Sequence, residues 1–139
     1  MLKDKVMLIT GAGRGIGRAT ALLAAENHAR VIVNYNNSER AADELLDLIA
    51  AKGSTAVKIK ADVSKEDEVK RMFKEIKSTF GHLDILFNNA GIMRNNLLMM
   101  TKVDELNSMY EINCKGTFLC SQSAAKMMMK QNFGRIINV

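Results

Sequence analysis

The chain contains no proline among its 139 residues. It also has no internal repeat, no low-complexity tract and no Gly/Ser-rich linker, so nothing in the sequence marks an internal domain boundary. We therefore expect residues 1–139 to form a single domain, because a chain of this length can bury a hydrophobic core. The hydrophobic fraction of 47% is ordinary for a globular protein and argues against disorder.

The chain has only two cysteines and no long apolar run. Cys114 and Cys120 lie six residues apart on a predicted helix with no histidine nearby, which is not the spacing of metal ligands. We expect no metal site, and a reducing compartment such as the cytoplasm. No run approaches the roughly 20 apolar residues of a membrane-spanning helix, and the apolar run near Met1 is too short for a signal peptide.

The charge balance is basic, with 20 Lys and Arg residues, 15 Asp and Glu residues and a net charge of +5. These cations are scattered and do not alternate with aromatic residues along a strand, so we expect no nucleic-acid partner. A solvated basic surface explains most of the charge. A nucleotide phosphate or an acidic protein partner could bind to the remaining positive charge.

The most informative motif in the chain is a glycine-rich run. It follows an apolar predicted strand, Val6–Ile9, and precedes a predicted helix that begins near Arg18. Glycines allow the backbone to approach a ligand, and a helix N-terminus offers free N–H groups to phosphates. The sequence therefore predicts a pyrophosphate cradle rather than a simple tight turn. Its expected members are Thr10, Gly11, Gly13, Arg14, Gly15, Ile16 and Gly17.

Strand and helix signals alternate along the rest of the chain, which predicts a parallel sheet covered by helices. Ser38 and Ser64 are expected to cap helices that end near Gly53 and Gly81, and Thr101 is expected to cap a helical region that continues to about Gln131. The further predicted strands are 31–35, 56–61, 84–87 and 134–139.

The spacing G-x-x-x-G-x-G with the leading Thr10 resembles the short-chain dehydrogenase/reductase family. Three further motifs match that family in the same order, and the resemblance extends from Lys5 to Val139. It implies an α/β, doubly wound, Rossmann-like parallel sheet whose first five strands have the order 3-2-1-4-5. The matching residues are Asp62 and Val63, then Asn88, Asn89, Ala90 and Gly91, and finally Asn113.

The resemblance also implies a role for each motif. Asp62, with Val63, would hold the adenine ring of a cofactor, although an aspartate there could simply end a strand. The segment 88–91 would support the central strand and line the cofactor cleft, or serve only as a turn. Asn113 would organise a water chain in the catalytic site, whereas a mid-helix asparagine without this context is usually solvated.

The predicted cofactor is NADP(H). Sites that prefer NAD place an acidic residue after the second strand, and the stretch from Asn34 to Asn37 has none. We expect Asn34 to contact the cofactor and Arg14 to bind a 2′-phosphate, unless Arg14 is only a solvent-exposed loop residue. Arg40 is a weaker candidate for the same contact.

Within the family, the chain is most similar to enzymes that reduce 3-oxoacyl thioesters on acyl carrier protein, through residues 33–35, 95–99 and 134–136. Two departures stand out. Asn27 occupies a turn that usually has glycine; we expect Asn27 to adopt the left-handed conformation there and His28 to be a surface residue. The segment 131–133 lacks the basic residues that an acidic carrier would contact. The resemblance also implies a homo-oligomer for the intact enzyme.

In the family, a serine follows the fifth strand and a Tyr-x-x-x-Lys pair comes later. Tyr35 and Tyr110 lack a lysine four positions on, where Glu39 and Cys114 stand. We therefore expect a cofactor-binding part of a reductase with little or no activity alone. A non-catalytic NADP-binding module, an inactive fragment, and a relative acting on another alcohol or ketone remain alternatives.

Overall fold

The computed structural model describes all 139 residues. Five strands alternate with helices along the chain. The strands are β1 (Val6–Ile9), β2 (Arg30–Tyr35), β3 (Ala56–Lys60), β4 (Ile85–Asn88) and β5 (Arg135–Asn138). The helices are α1 (Gly15–Glu26), α2 (Glu39–Ala51), α3 (Glu66–Phe80), α4 (Val103–Tyr110) and α5 (Thr117–Gln131), with a 3-10 turn at Leu98–Met100 and a π-helical segment at Glu111–Gly116.

The strands form one parallel sheet in the order β3-β2-β1-β4-β5, which confirms the predicted architecture. Its centre is β1, where Leu8 pairs with Ile32 on one side and with Leu86 on the other. Parallel pairing brings the carboxyl ends of all five strands to the same edge. The loops that carry the predicted motifs therefore meet at that edge.

Helices cover both faces of the sheet and create two cores. Side chains alternate along β1, so Val6 and Leu8 pack towards α3 and α5, whereas Met7 and Ile9 pack towards α1 and α2. This two-sided burial explains why β1 has no polar residue. Both cysteines are free; Cys114 is exposed, and burial raises the pKa of the Cys120 thiol to about 12.

The helix ends that depend on local sequence agree with prediction. Ser38 caps α2, where its Oγ accepts a hydrogen bond from the backbone N–H of Ala41 at 3.3 Å. Gly81 ends α3 in the left-handed conformation with φ of 78°. Gly53, also at φ of 78°, follows the last residues of α2. No helix is both long enough and apolar enough to cross a membrane.

Two predicted caps are wrong. Ser64 does not cap α3, because the helix begins at Glu66 with Lys65 at the N-cap position. The N–H and the Oγ of Ser64 both donate to the Asp62 carboxylate, at 2.9 and 2.7 Å. The Thr101 hydroxyl donates back to the carbonyl of Leu97, and α4 begins only after Lys102. In both cases the N-cap position falls one residue after the predicted cap, on a lysine, and the predicted hydroxyl donates to an acceptor in the preceding loop.

Two further expectations need correction. The region from Thr101 to Gln131 is helical but not uniformly so, since the π-helical segment Glu111–Gly116 separates α4 from α5. In the turn before β2, His28 adopts the left-handed conformation, with φ of 66°, instead of Asn27. Asn27 stays in the last turn of α1, where its side-chain amide donates to the Leu23 carbonyl. His28 is exposed, as predicted.

Candidate functional site

A cleft of about 620 Å³ opens at the carboxyl edge of the sheet. It is bounded by the glycine-rich loop after β1 and by the chain that follows β2, β3 and β4. Most of the predicted site residues line this cleft. They are Gly11, Gly13, Arg14, Gly15, Ile16, Asn34, Asp62, Val63, Asn89, Ala90 and Gly91.

Four predicted residues do not line the cleft but support its walls: Thr10, Gly17, Asn88 and Asn113. Thr10 is buried, and its Oγ1 accepts hydrogen bonds from the backbone N–H groups of Asn89 and Ala90, both at 3.0 Å. The Asn89 side-chain amide donates in return to the carbonyls of Thr10 and Gly11, both at 3.1 Å. These bonds fasten the glycine-rich loop to the end of β4.

The glycines of the loop permit this close contact. A Cβ on Gly17 would lie 2.5 Å from the side-chain nitrogen of Asn89 and 2.9 Å from the carbonyl oxygen of Gly11. A Cβ on Gly11 would lie 2.8 Å from the Cα of Ala90. Any side chain at these positions must displace the loop from β4, and so the cradle depends on glycine at both.

The N-terminus of α1 faces the cleft. Arg14 occupies the N-cap position in an extended conformation and makes no side-chain cap. The first N–H groups of the helix, at Gly15 and Ile16, are therefore left open towards the cleft. Together with the partial positive charge of the helix end, these groups form an anion-binding position.

Asn34, near the end of β2, ties two loops together. It is buried, and its Oδ1 accepts from the N–H of Gly11 at 3.2 Å. Its Nδ2 donates to the carbonyl of Ala61 at 3.0 Å. Although Asn34 lines the cleft, these protein contacts use both ends of its amide. Asn34 therefore holds the loops after β1 and β3 in place.

Asp62 and Val63 form the wall that follows β3. The Asp62 Oδ1 accepts two hydrogen bonds from Ser64, whereas Oδ2 has no hydrogen-bond partner in the protein and remains available to a ligand. Val63 packs against the last residue of the π-helical segment, Gly116. A Cβ there would lie 2.6 Å from Val63 Cγ2. Sequence analysis missed Gly116, since its requirement arises only from this contact.

Gly116→Ala is accordingly expected to push Val63 into the cleft and to weaken ligand binding more than folding. The new methyl group meets a β-branched side chain that has little freedom to turn away. Isothermal calorimetry with NADPH, beside a urea unfolding curve, measures the two effects. The double variant Gly116→Ala/Val63→Ala should restore affinity. If affinity is unchanged in the single variant, this contact does not shape the cleft.

Asn88 fixes the end of β4 to its neighbours. Its Nδ2 donates to the Ser121 hydroxyl on α5 and to the Asn138 side chain on β5, both at 2.9 Å. Asn113 lies in the π-helical segment and exchanges two 2.8 Å hydrogen bonds with the backbone of Ile92, which lines the cleft. Such segments are frequent at functional sites. Asn113 thus positions the chain after β4 and does not itself line the cleft.

The cleft wall carries one charged side chain of each sign. Arg14 is its only cationic lining residue, and Asp62 its only acidic one. The other predicted arginine, Arg40, pairs with Glu44 at 3.0 Å and does not line the cleft. No three His, Cys, Asp or Glu side chains lie close enough together to hold a metal ion.

Several lining residues were not predicted as site residues. Asn36, Asn37, Ser38 and Ala41 come from the loop after β2 and the first turn of α2. Their position in the sequence is a signal for this role, because residues just past the carboxyl ends of parallel strands face the ligand in open α/β sheets. The remaining unpredicted residues are Tyr35, Ala61, Ile92 and Ile112.

The parallel sheet order and the glycine-rich turn at its carboxyl edge define an open α/β domain of the Rossmann type. The family description "short chain dehydrogenase" matches residues 5–139, and the chain belongs to the short-chain dehydrogenase/reductase family.

Named relatives agree with this assignment. The chain is 43% identical to a 3-oxoacyl-[acyl-carrier-protein] reductase of Synechocystis sp. PCC 6803 over 99% of its own length. It is 48% identical to the 3-oxoacyl-[acyl-carrier-protein] reductase FabG of Staphylococcus aureus Mu50 over 100% of its length. A short-chain type dehydrogenase/reductase structure from Mycobacterium marinum superposes with a TM-score of 0.94 at 36% identity, over 99% of this chain. In all three comparisons the chain spans 56% of the matched protein's length.

Proposed function

We propose that this chain is the cofactor-binding part of a reductase that uses NADPH to reduce the carbonyl of a 3-oxoacyl thioester. One observation carries the choice of cofactor. Arg14 is the only cation in the cleft, and the loop after β2 contributes only uncharged residues to the cleft wall. A guanidinium, together with a loop after β2 that adds no carboxylate to the cleft wall, favours a cofactor that carries a 2′-phosphate over one with a free 2′-hydroxyl.

The residues present fit such a cofactor. The open N–H groups at the start of α1 suit its diphosphate, and the free Oδ2 of Asp62 suits the adenine amine. Asn89 and Ala90 shape the wall beyond the glycine-rich loop, and Asn113 would position that wall through Ile92. When bound, the reduced nicotinamide supplies the hydride that reduces a carbonyl.

The substrate class rests on the relatives. Proteins named 3-oxoacyl-[acyl-carrier-protein] reductase match the whole chain, so we propose a 3-oxoacyl thioester carried by acyl carrier protein as the substrate of the complete enzyme. The net charge of +5 is compatible with an acidic carrier. A cytoplasmic location and a homo-oligomeric complete enzyme belong to the same proposal. A chain that only binds NADP without catalysis is the alternative.

Arg14→Gln is expected to raise the Kd for NADPH at least tenfold and to leave the Kd for NADH within a factor of two. The reason is the loss of a charge-assisted contact with the 2′-phosphate, which NADH lacks. Calorimetric titration of the 139-residue chain with each cofactor measures both values. The matched control is Arg40→Gln, which removes an arginine engaged with Glu44 and should change neither Kd.

Three outcomes would contradict parts of this proposal. If the unaltered chain binds neither cofactor, it is not a cofactor-binding unit by itself. Equal affinity for NADH and NADPH would overturn the cofactor assignment. Reduction of acetoacetyl-CoA with NADPH by this chain alone would show that catalysis does not require a tyrosine followed by lysine four positions later, since neither Tyr35 nor Tyr110 has one.

A further inference from the structure

We propose that Glu68 is a positioning residue for the cofactor, because it holds Asp62 in the orientation that recognises the adenine amine. Glu68 lies in the first turn of α3 and does not line the cleft. The inference rests on the proposed function, in which the free Oδ2 of Asp62 accepts a hydrogen bond from that amine. It extends this function to a residue that touches no ligand.

The contact joins α3 to the chain that leaves β3. The Oε2 of Glu68 accepts a hydrogen bond from the backbone N–H of Asp62 at 2.7 Å. Because β3 is an edge strand of the sheet, no further strand lies beside it to accept from this N–H. The preceding residue, Ala61, bonds to the other side, where its N–H donates to the carbonyl of Tyr35 at 2.9 Å. Glu68 therefore supplies an acceptor that the sheet does not.

The other hydrogen bonds of Asp62 stay within the loop between β3 and α3. Its Oδ1 accepts from the N–H and the Oγ of Ser64, and its carbonyl accepts from the N–H of Lys65 at 3.0 Å. These bonds fix the shape of the turn. The bond to Glu68 is the one that joins Asp62 to a residue of a helix, and it sets where the turn lies relative to the cleft.

The helix that carries Glu68 is firmly placed. Val69 and Met72, on the same helix, are buried in the core against the sheet. Arg71, one turn beyond Glu68, donates to the carbonyl of Lys60 at 2.6 Å. The helix thus holds the chain on both sides of residue 61. A ligand-binding group depends on such supporting contacts for its orientation, so loss of the Glu68 carboxylate should let the Asp62 carboxylate turn away from the cleft.

The test uses two reduced cofactors that differ at one position. Deamino-NADPH has an oxygen in place of the adenine amine and cannot donate to Asp62 from that position, whereas NADPH can. We expect the unaltered chain to bind NADPH at least fivefold more tightly in calorimetric titrations. In Glu68→Ala the Kd for NADPH should rise about three- to tenfold, and the Kd for deamino-NADPH should stay within a factor of two.

Two substitutions serve as controls. Glu68→Gln should keep the preference for NADPH, because a side-chain amide oxygen accepts the same hydrogen bond. Glu75→Ala removes an exposed glutamate about two turns further along α3 and should change neither Kd. If Glu68 acts through Asp62, adding Glu68→Ala to Asp62→Ala should not raise the Kd for NADPH further.

A urea unfolding curve for each variant separates lost folding from lost recognition. Should Glu68→Ala fail to fold, Glu68→Leu gives the same comparison, since leucine keeps more of the side-chain packing and also lacks the acceptor.

Two results would overturn the inference: an unchanged preference for NADPH in a folded variant without the acceptor, or equal losses of affinity for both cofactors. If the unaltered chain does not prefer NADPH to deamino-NADPH, the adenine contact of the proposed function fails, and this inference fails with it. If that preference is present but does not depend on Glu68, only the present inference fails.

Discussion

Gly11→Ala is expected to lower the free energy of unfolding by about 3 kcal/mol or more and to abolish cofactor binding. Two costs combine. Gly11 has φ of 60°, and a left-handed conformation costs a residue with a side chain about 1–2 kcal/mol. The new methyl group would also lie 2.8 Å from the Cα of Ala90, and forcing atoms into packed space adds about 1–3 kcal/mol.

The loop cannot relieve this contact freely. The Gly11 N–H donates to Asn34, and its carbonyl accepts from Asn89, so moving Gly11 strains bonds to both β2 and β4. Urea unfolding followed by circular dichroism gives the free energy, and NADPH titration gives the binding loss.

Gly15→Ala is the matched control for Gly11→Ala. Gly15 has nearly the same backbone conformation, with φ of 56°, but a Cβ there meets nothing within 4 Å. It should therefore cost only the conformational part, about 1 kcal/mol. If the two variants lose equal stability, the close approach of Ala90 is not the reason that glycine is required at position 11, and the interpretation of the loop contact is wrong.

Thr10→Val should lower the free energy of unfolding by about 2–4 kcal/mol, although valine has nearly the same shape as threonine. The hydroxyl of the buried Thr10 accepts from the N–H groups of Asn89 and Ala90. Valine leaves both donors without a partner, and each unsatisfied buried donor costs about 1–3 kcal/mol. We also expect weaker NADPH binding, because the glycine-rich loop loses its attachment to β4.

The contrast with Thr10→Ser tests this account. Serine keeps the hydroxyl and loses only one buried methyl group, at about 1 kcal/mol. Equilibrium unfolding in urea ranks the three proteins, and we expect the order threonine, serine, valine from most to least stable. A valine variant as stable as the serine variant would refute the role assigned to the two hydrogen bonds.

The amino-acid sequence by itself determined the features that depend on neighbouring residues. The apolar run of β1, the cap at Ser38 and the left-handed Gly81 all follow from local patterns, and the structure confirms each. The glycine-rich run after β1 was identified from its spacing and its position between a strand and a helix. Short-range chemistry of this kind is visible in a sequence because both partners lie within a few residues.

The local pattern predicts the wrong position at three polar residues, Ser64, Thr101 and Asn27. The Ser64 and Thr101 hydroxyls donate to acceptors in the preceding loops, and each helix begins one residue later than predicted, with a lysine at its N-cap. In the turn before β2, the amide of Asn27 remains bound to Leu23, so that His28 carries the left-handed backbone. In each case the polar side chain bonds to a nearby residue, and the backbone turns at a position one residue away from the predicted one.

Only the tertiary structure decided which distant residues share a site. The amide of Asn34 links the loops after β1 and β3, and Gly116 lies against Val63. These contacts join positions 23 to 53 residues apart, between elements whose relative placement is set by sheet order and helix packing. The sequence alone indicates the segments that line this cleft, whereas the parallel sheet determines how they meet, because it brings the ends of all its strands to one edge.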